Sequence, residues 1–312
     1  MKVLITGGSG FVGSHLADRL LARGEEVLVI DNFETGRRDN LREHERLTVV
    51  EGSIADRDLI TSTTSDFRPN LVVHAAASYK DPDNWAGDVT TNALGTALVA
   101  EAAKAAGAQR IIYFQTALCY GTNPVEQPVT LGHHLAPDSS YAISKTAGEQ
   151  YLALSGLDWV SFRLANAYGP RNISGPLPTF YSRLTTDKPC FVMDTRRDFV
   201  FVDDMIDAVE LAIDGKGHGT YHLSSGGDVS IEELFNATVA ALGTKLDGPV
   251  EVRPRGEDDA FTILLDPSRT AADFDGWTPK TELNAGVAAA IAYYREYGID
   301  QTFTHLHLPD EE

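Results

Sequence analysis

Short, nearly unbroken apolar runs alternate along this chain with stretches in which apolar residues recur every three or four positions. The runs lie at residues 3–5, 26–30, 47–50, 70–74, 110–115 and 159–163, and each reads as a strand covered on both faces. Between them Phe11, Leu16, Leu20 and Leu21 keep helical spacing up to Gly24. Residues 93–106 form a helix-prone run stopped by Gly107, and 139–154 a further helix. Such alternation predicts an α/β fold, a doubly wound parallel sheet. The texture changes after Tyr168-Gly169-Pro170, where Gly175, Pro176, Pro178 and Pro189 crowd together and elements become short. Residues 1–168 are therefore read as one domain and 169–312 mainly as a smaller mixed α/β lobe. Residues 199–209 are expected to lend a strand or helix back, so that 199–224 returns to the first domain. Residues 231–242 and 285–297 read as helices.

The first strand–helix–strand unit carries the clearest chemistry. Gly7, Gly10 and Gly13 sit between strand and helix, and Asp31 ends the next strand. A pyrophosphate at a helix N-terminus meets free N–H groups and the helix dipole, and only residues without Cβ let the backbone come so close. Asp31 stands where a carboxylate accepts both adenosine ribose hydroxyls and repels a 2′-phosphate. The placement between strand and helix, with the acid that follows, predicts a Rossmann-type NAD site. Gly7, Gly10, Phe11, Val12 and Gly13 would line its pyrophosphate side, and Asp31, Asn32 and Gly36 its ribose side. Ala75, Ala76 and Ala77 follow the fourth strand, where small residues suit a chain passing close to a ligand.

Composition narrows the class. The 312 residues are 43% hydrophobic, enough for a sizeable core, and no apolar run approaches the roughly 18 residues of a membrane span. The first strand begins at once, leaving no room for a signal peptide, and Cys119 and Cys190 form no framework or metal spacing. A cytoplasmic, reduced protein without a metal site is expected. Asp+Glu 45 against Lys+Arg 26 gives a formal charge of −19, which disfavours nucleic acid as a partner.

Tyr141-Ala-Ile-Ser-Lys145 opens the helix at 139–154, and positions i and i+4 share a helix face. A phenol titrates near 10; bringing it toward 7 takes roughly 4 kcal/mol, at about 1.4 kcal/mol per unit. The ammonium and an oxidised nicotinamide ring are expected to supply that. Thr116, just past the fifth strand, offers a hydroxyl beside the same oxygen. His74 reads as a packed strand-end histidine, Cys119 as an unreactive thiol and His133-His134 as a solvated loop. Asp203-Asp204 read as acids opening a helix, and Trp277 as core.

With these residues in place, the chain resembles the extended short-chain dehydrogenase/reductases, and among them the nucleotide-sugar epimerases and dehydratases. The resemblance runs through Thr6-Gly-Gly-Ser-Gly-Phe-Val-Gly13, Asp31-Asn32-Phe33, Val73-His74-Ala75-Ala76, Thr91-Asn92-Ala93-Leu94-Gly95-Thr96, Tyr120-Gly121 and Tyr141-Ala-Ile-Ser-Lys145. It continues in Arg163-Leu-Ala-Asn-Ala-Tyr-Gly-Pro170, Arg197-Asp198-Phe199 and Val202-Asp203-Asp204. Tyr79-Lys80-Asp81-Pro82, Phe114-Gln-Thr-Ala-Leu-Cys-Tyr-Gly121 and Pro176-Leu-Pro-Thr-Phe-Tyr181 look like epimerase-type members from bacterial surface-polysaccharide loci. The resemblance implies that Tyr141 takes the proton of a sugar hydroxyl as hydride passes to nicotinamide. Lys145 would hold the nicotinamide ribose and lower the phenol's pKa, and Thr116 would bridge to the same oxygen. It gives Asn92 a structural or cofactor-side role and places Ser53 and Ile54 at adenine, with Ser53 where an aspartate is commoner. Asn166 would reach the substrate diphosphate and Arg197 a phosphate, with Arg253 or Arg255 doing likewise. Lys80 and Thr179 belong to the expected pocket wall.

The residues after Thr116 narrow the reaction. Dehydratases of the family place Asp-Glu there and decarboxylating members a glutamate at the second position; Ala117-Leu118 cannot move protons. A C4 epimerase acting on a UDP-sugar is therefore expected, with a 4-ketoreductase or dehydratase as the alternative and a non-catalytic dinucleotide sensor as the further one. Relatives dimerise through the helices at 93–106 and 139–154, and a homodimer is expected here.

Overall fold

The computed structural model describes residues 1–79, 81–256, 259–299 and 301–303. Strands β1 (Lys2–Thr6), β2 (Glu26–Asp31), β3 (Leu47–Glu51), β4 (Leu71–His74), β5 (Arg110–Thr116) and β6 (Asp158–Leu164) fall where the apolar runs place them. Next come β7 (Asn166–Tyr168), β8 (Phe191–Met193), β9 (Arg196–Arg197), β10 (Phe199–Phe201) and β11 (Gly219–Leu223). Seven of them form one parallel sheet in the order β11-β6-β5-β4-β1-β2-β3. The expected doubly wound sheet is thus present, with the order reversing at β1.

Both faces of the sheet are covered. Val3 and Ile5 pack on one side with Leu16 and Leu20 of helix α1 (Phe11–Ala22), while Leu4 joins Ile60, Val99 and Leu152 on the other. That second layer is α2 (Arg57–Phe67), α4 (Thr96–Ala105) and α5 (Ser140–Ser155). Helix α5 is closed by Ser139, whose side chain accepts from the Ala142 N–H, and by left-handed Gly156. Helix α2 was not foreseen: its apolar stripe is sparse, and the Asp56 side chain, accepting from Asp58 and Leu59 N–H, starts it.

Two expected elements differ in extent. The helix expected from residue 93 begins earlier: a short α3 (Trp85–Asp88), capped by the Asn84 side chain, runs through a π-helical turn (Val89–Gly95) into α4. The region of prolines holds α6 (Pro176–Thr185), because Pro176 and Pro178 occupy its first turn, where an N–H needs no partner.

Residues 199–209 divide their roles. Strand β10 pairs with β7 in a separate two-stranded sheet. Helix α7 (Val202–Ile213) packs beside α1 under the main sheet, and β11 extends that sheet at β6. Asp203 and Asp204 lie in the first turn of α7, and Trp277 is buried with its ring N–H on the Asp204 carbonyl. Helices α8 (Ile231–Leu242), α9 (Ser268–Asp273) and α10 (Leu283–Tyr297) complete the second lobe, where α6, α8 and α10 pack together.

Candidate active site

The carboxyl ends of β1, β2, β4 and β5 meet along one edge of the sheet, which places Gly7, Asp31, Ala75 and Thr116 on the same side. Gly7 is left-handed (φ +69°), and a Cβ there would lie 2.7 Å from the Ala76 Cα. A Cβ on Gly13 would lie 2.3 Å from the Gly7 carbonyl oxygen. Strand, turn and helix therefore touch backbone to backbone. Gly10 caps α1 with no side chain on its first N–H groups and no acid in the first turn, so this end is open to an anion. Phe11 and Val12 form that first turn.

Asp31 is buried. Its carboxylate accepts from the Ser9 N–H (2.9 Å) and the Phe33 N–H (2.8 Å), which fixes it at the end of β2 with Gly36 beside it. Two bonds leave lone pairs for ribose hydroxyls. The open helix end, the Cβ-free turn and this carboxylate fit a dinucleotide. Asn32 is exposed and bonds to Glu34. Ser53 Oγ accepts from the Ala55 N–H, and Ile54 is buried against Gly95.

His74 closes β4 as a structural residue. Thr96 Oγ1 donates to the Asn92 carbonyl (2.6 Å), so it accepts from His74 Nε2–H (2.8 Å), and Thr6 donates to Nδ1 (2.6 Å). Burial pushes this imidazole down to about 3, neutral at any working pH. Asn92 is likewise fully used: its amide spans the Ser78 backbone N–H (2.8 Å) and carbonyl (2.9 Å) and reaches Ser144 Oγ (3.1 Å). It pins the loop after β4 to α5.

Tyr141 and Lys145 lie in the first turns of α5, which packs on β5 and on the 117–120 turn after Thr116. Lys145 is buried, with Nζ 4.0 Å from the centre of the Tyr113 ring, and Tyr113 Oη donates to the Lys145 carbonyl (3.0 Å). Burial lowers this ammonium to about 7, against the upward pull of Glu149. It raises the Tyr141 phenol well above its ordinary value, and Tyr79 and Asp88 raise it further. The expected lowering of the phenol by Lys145 is therefore not found: burial is the largest cause of the shift, and Tyr79 and Asp88 act in the same upward direction. Thr116 Oγ1 accepts from the Leu118 N–H (3.2 Å), and its own N–H donates to the Gln115 side chain (2.8 Å).

A cleft of about 830 Å³ opens in the second lobe, with Asn166, Thr179 and Arg197 in its wall. Asn166 donates to the Asp198 carbonyl (3.2 Å) and Thr179 to the Gly175 carbonyl (2.9 Å). Arg197, expected on a phosphate, is held by Asp259 (2.6 Å) and the Ala260 carbonyl (2.9 Å). Arg253 pairs with Glu251 across the Phe191 ring, and exposed Arg255 donates to the Asp259 carbonyl; neither is among the described residues lining the cleft. Lys80 lies outside the described residues.

Tyr79 carries a role the sequence did not disclose. Burial raises its phenol, while the side chains of Thr35 after β2 and Ser174 in the second lobe pull it back down. The Tyr79-Lys80-Asp81-Pro82 segment is marked only by resemblance, since Thr35 and Ser174 are distant from it in sequence. Buried Cys119 has its thiol pushed up to about 12, and His133 and His134 stack on each other in a loop. Among the described residues no group of three metal-ligating side chains gathers, and no helix is long and apolar enough to cross a membrane.

Residues 3–223 match the model of the NAD dependent epimerase/dehydratase family. The chain belongs to that family. The UDP-glucose 4-epimerase of Mycolicibacterium smegmatis is 35% identical to it over 315 residues, 95% of this chain and 99% of that one. Among solved structures, the Bordetella bronchiseptica enzyme WbmH in complex with NAD+ is 56% identical, covers 96% of this chain and 99% of its own, and superposes with a TM-score of 0.93. WbmG of the same organism, in complex with NAD and UDP, is 44% identical over 98% of this chain and 99% of its own, with a TM-score of 0.91. The resemblance read from the motifs is therefore real, and the family is NAD dependent, as Asp31 led one to expect. Its members related to this chain include UDP-sugar 4-epimerases, with dehydratases and decarboxylases beside them.

Proposed function

We propose that this protein is a UDP-sugar 4-epimerase that works through a transient 4-keto sugar and keeps NAD between turnovers. The observation that carries this reading is the turn after Thr116. There the chain places buried Ala117 and then Leu118, with no acid to move a proton between neighbouring carbons. One proton donor and acceptor remains, Tyr141, and one proton is all that a reversible alcohol oxidation needs.

NAD, when bound, would supply reversible hydride transfer at C4 of the sugar. The protein's share is orientation and charge. The Gly7–Gly13 turn and Asp31 hold the two ends of the adenosine diphosphate, and Ser53, Ile54 and Ala75–Ala77 flank it. Tyr141 takes the C4 hydroxyl proton and gives it back, Thr116 holds the same oxygen, and Lys145 supplies positive charge beside the phenol. Asn166, Thr179 and Arg197 receive the nucleotide sugar, with Arg197 exchanging the Asp259 carboxylate for a phosphate. Residues 1–168 with 199–224 serve the dinucleotide, and the rest mainly the sugar nucleotide.

The reading is tested by NMR on a panel of UDP-hexoses, UDP-N-acetylhexosamines and UDP-uronic acids without added cofactor. Appearance of a C4 epimer supports it. Net NADH formation from any of them, or a 4-keto-6-deoxy product, overturns it in favour of a dehydrogenase or dehydratase.

We also propose a homodimer built on α4 and α5. Leu94 in the turn before α4 and Ile143, Tyr151 and Leu154 of the adjoining α5 are exposed apolar residues, which water disfavours. Sedimentation should give about twice the monomer mass, and Tyr151→Asp should reduce it to one; a wild-type monomer at working concentration would sink the assignment. A cytoplasmic setting agrees with two unbridged cysteines.

A further inference from the structure

One helical turn beyond Lys145, on the face shared with Tyr141, α5 carries Glu149. It is 5% exposed. Its carboxylate accepts from Arg163 on β6 through Nη2 (2.5 Å) and Nε (3.3 Å), and from Ser161 Oγ (2.6 Å). Arg163 Nη1 donates to the Tyr120 hydroxyl (2.6 Å), which meets His222 Nε2 on β11 (2.7 Å); the other ring nitrogen of His222 meets the Asp266 carbonyl (2.9 Å). Tyr120 ends the turn that begins after Thr116. A continuous buried chain of polar contacts thus joins the helix of Tyr141 and Lys145 to the turn of Thr116.

A buried ion pair is weak evidence for stability, since well-packed apolar residues often do as well or better. The pair here therefore calls for another account, and its position supplies one. Lys145 lies over the Tyr113 ring from β5 and acts on neutral His74 from β4, while Asp88 from α3 acts on Tyr141. Among these groups Glu149 is the carboxylate that pulls Lys145 toward its charged form.

We propose that Glu149 is a positioning residue for Lys145: clamped by Arg163 and Ser161, it supplies the negative charge against which the buried ammonium is held, and through Arg163 and Tyr120 it locks that ammonium's helix to the turn of Thr116. The inference rests on the reading of Lys145 as the residue that serves Tyr141. Without Glu149 the ammonium loses its proton at lower pH, and with it the positive charge beside the phenol at neutral pH.

The test follows the Lys145 side chain directly. The chain has 8 lysines, so the 13Cε signals of the full-length protein can be followed with pH, and Lys145 is assigned by its loss in Lys145→Met. In the wild type it should titrate near 7. In Glu149→Gln the midpoint should fall by about one pH unit, while Glu149→Asp, which keeps the charge, should stay within a few tenths. Turnover of Glu149→Gln relative to wild type should be higher at about pH 6 than at about pH 8. A purely structural role would lower thermal stability and leave the midpoint where it was. If Glu149→Gln does not fold, because Arg163 is left buried and unpaired, Glu149→Gln with Arg163→Met removes both charges and should still shift the midpoint downward. A folded variant of either kind with an unmoved Lys145 midpoint overturns the proposal. A wild type that forms no C4 epimer but shows the shift would instead defeat the epimerase reading alone.

Discussion

Tyr141→Phe is expected to abolish turnover and leave NAD bound. The phenol oxygen is the proposed proton carrier, and the described residues around it offer no replacement: Thr116 has a hydroxyl too weakly acidic to act alone, and Ala117 and Leu118 have none. A positioned proton donor or acceptor contributes typically about 10² to 10⁴-fold, so a loss of about 10³-fold or more is anticipated. The ring itself packs in α5 without disturbing the Gly7–Gly13 turn. Mass analysis of gently purified variant should therefore find the same NAD content as wild type, and circular dichroism the same fold. The local environment sharpens this expectation. Burial, together with Tyr79 and Asp88, raises the phenol, and burial lowers Lys145 to about 7, so the protein keeps Tyr141 protonated in the absence of added positive charge. Such a group becomes a base only when that charge is supplied, which couples proton removal to the presence of oxidised cofactor. Activity surviving at more than a few per cent in Tyr141→Phe would remove the residue from the mechanism.

Gly13→Ala should have the largest effect on cofactor and fold together. The added methyl would stand 2.3 Å from the Gly7 carbonyl oxygen and 2.8 Å from the Gly8 Cα. Both are backbone atoms, so no side chain can turn aside; either α1 slides or the turn opens. Overpacking of this kind costs typically about 1–3 kcal/mol, and displacement of the α1 N-terminus removes the N–H groups from the pyrophosphate. Thermal unfolding should show a lower midpoint and equilibrium dialysis little retained NAD. A variant that holds NAD as the wild type does would mean that the turn does not carry the pyrophosphate.

The amino-acid sequence by itself determined the parallel sheet, the dinucleotide turn, Asp31, and the spacing that puts Tyr141 and Lys145 on one helix face. These are local: apolar runs, a glycine turn and a four-residue interval act within a single strand–helix unit, so the order of residues suffices to read them. It also led to sound plain readings of His74, Asp203, Asp204 and Trp277, because strand ends and helix starts are local too. It did not disclose α6, since prolines that signal a loop in most settings are harmless in a first turn.

Tertiary structure alone decided the rest. Only the fold shows that β11 joins the main sheet at β6, that Asn92 is consumed in pinning Ser78 and Ser144, and that Arg197 already has a carboxylate partner in Asp259. Most consequentially, it sets the charge states of Tyr141 and Lys145. Desolvation depends on how side chains of other elements, such as Tyr113 of β5, close around them, and no spacing along the chain records how deeply a side chain is buried.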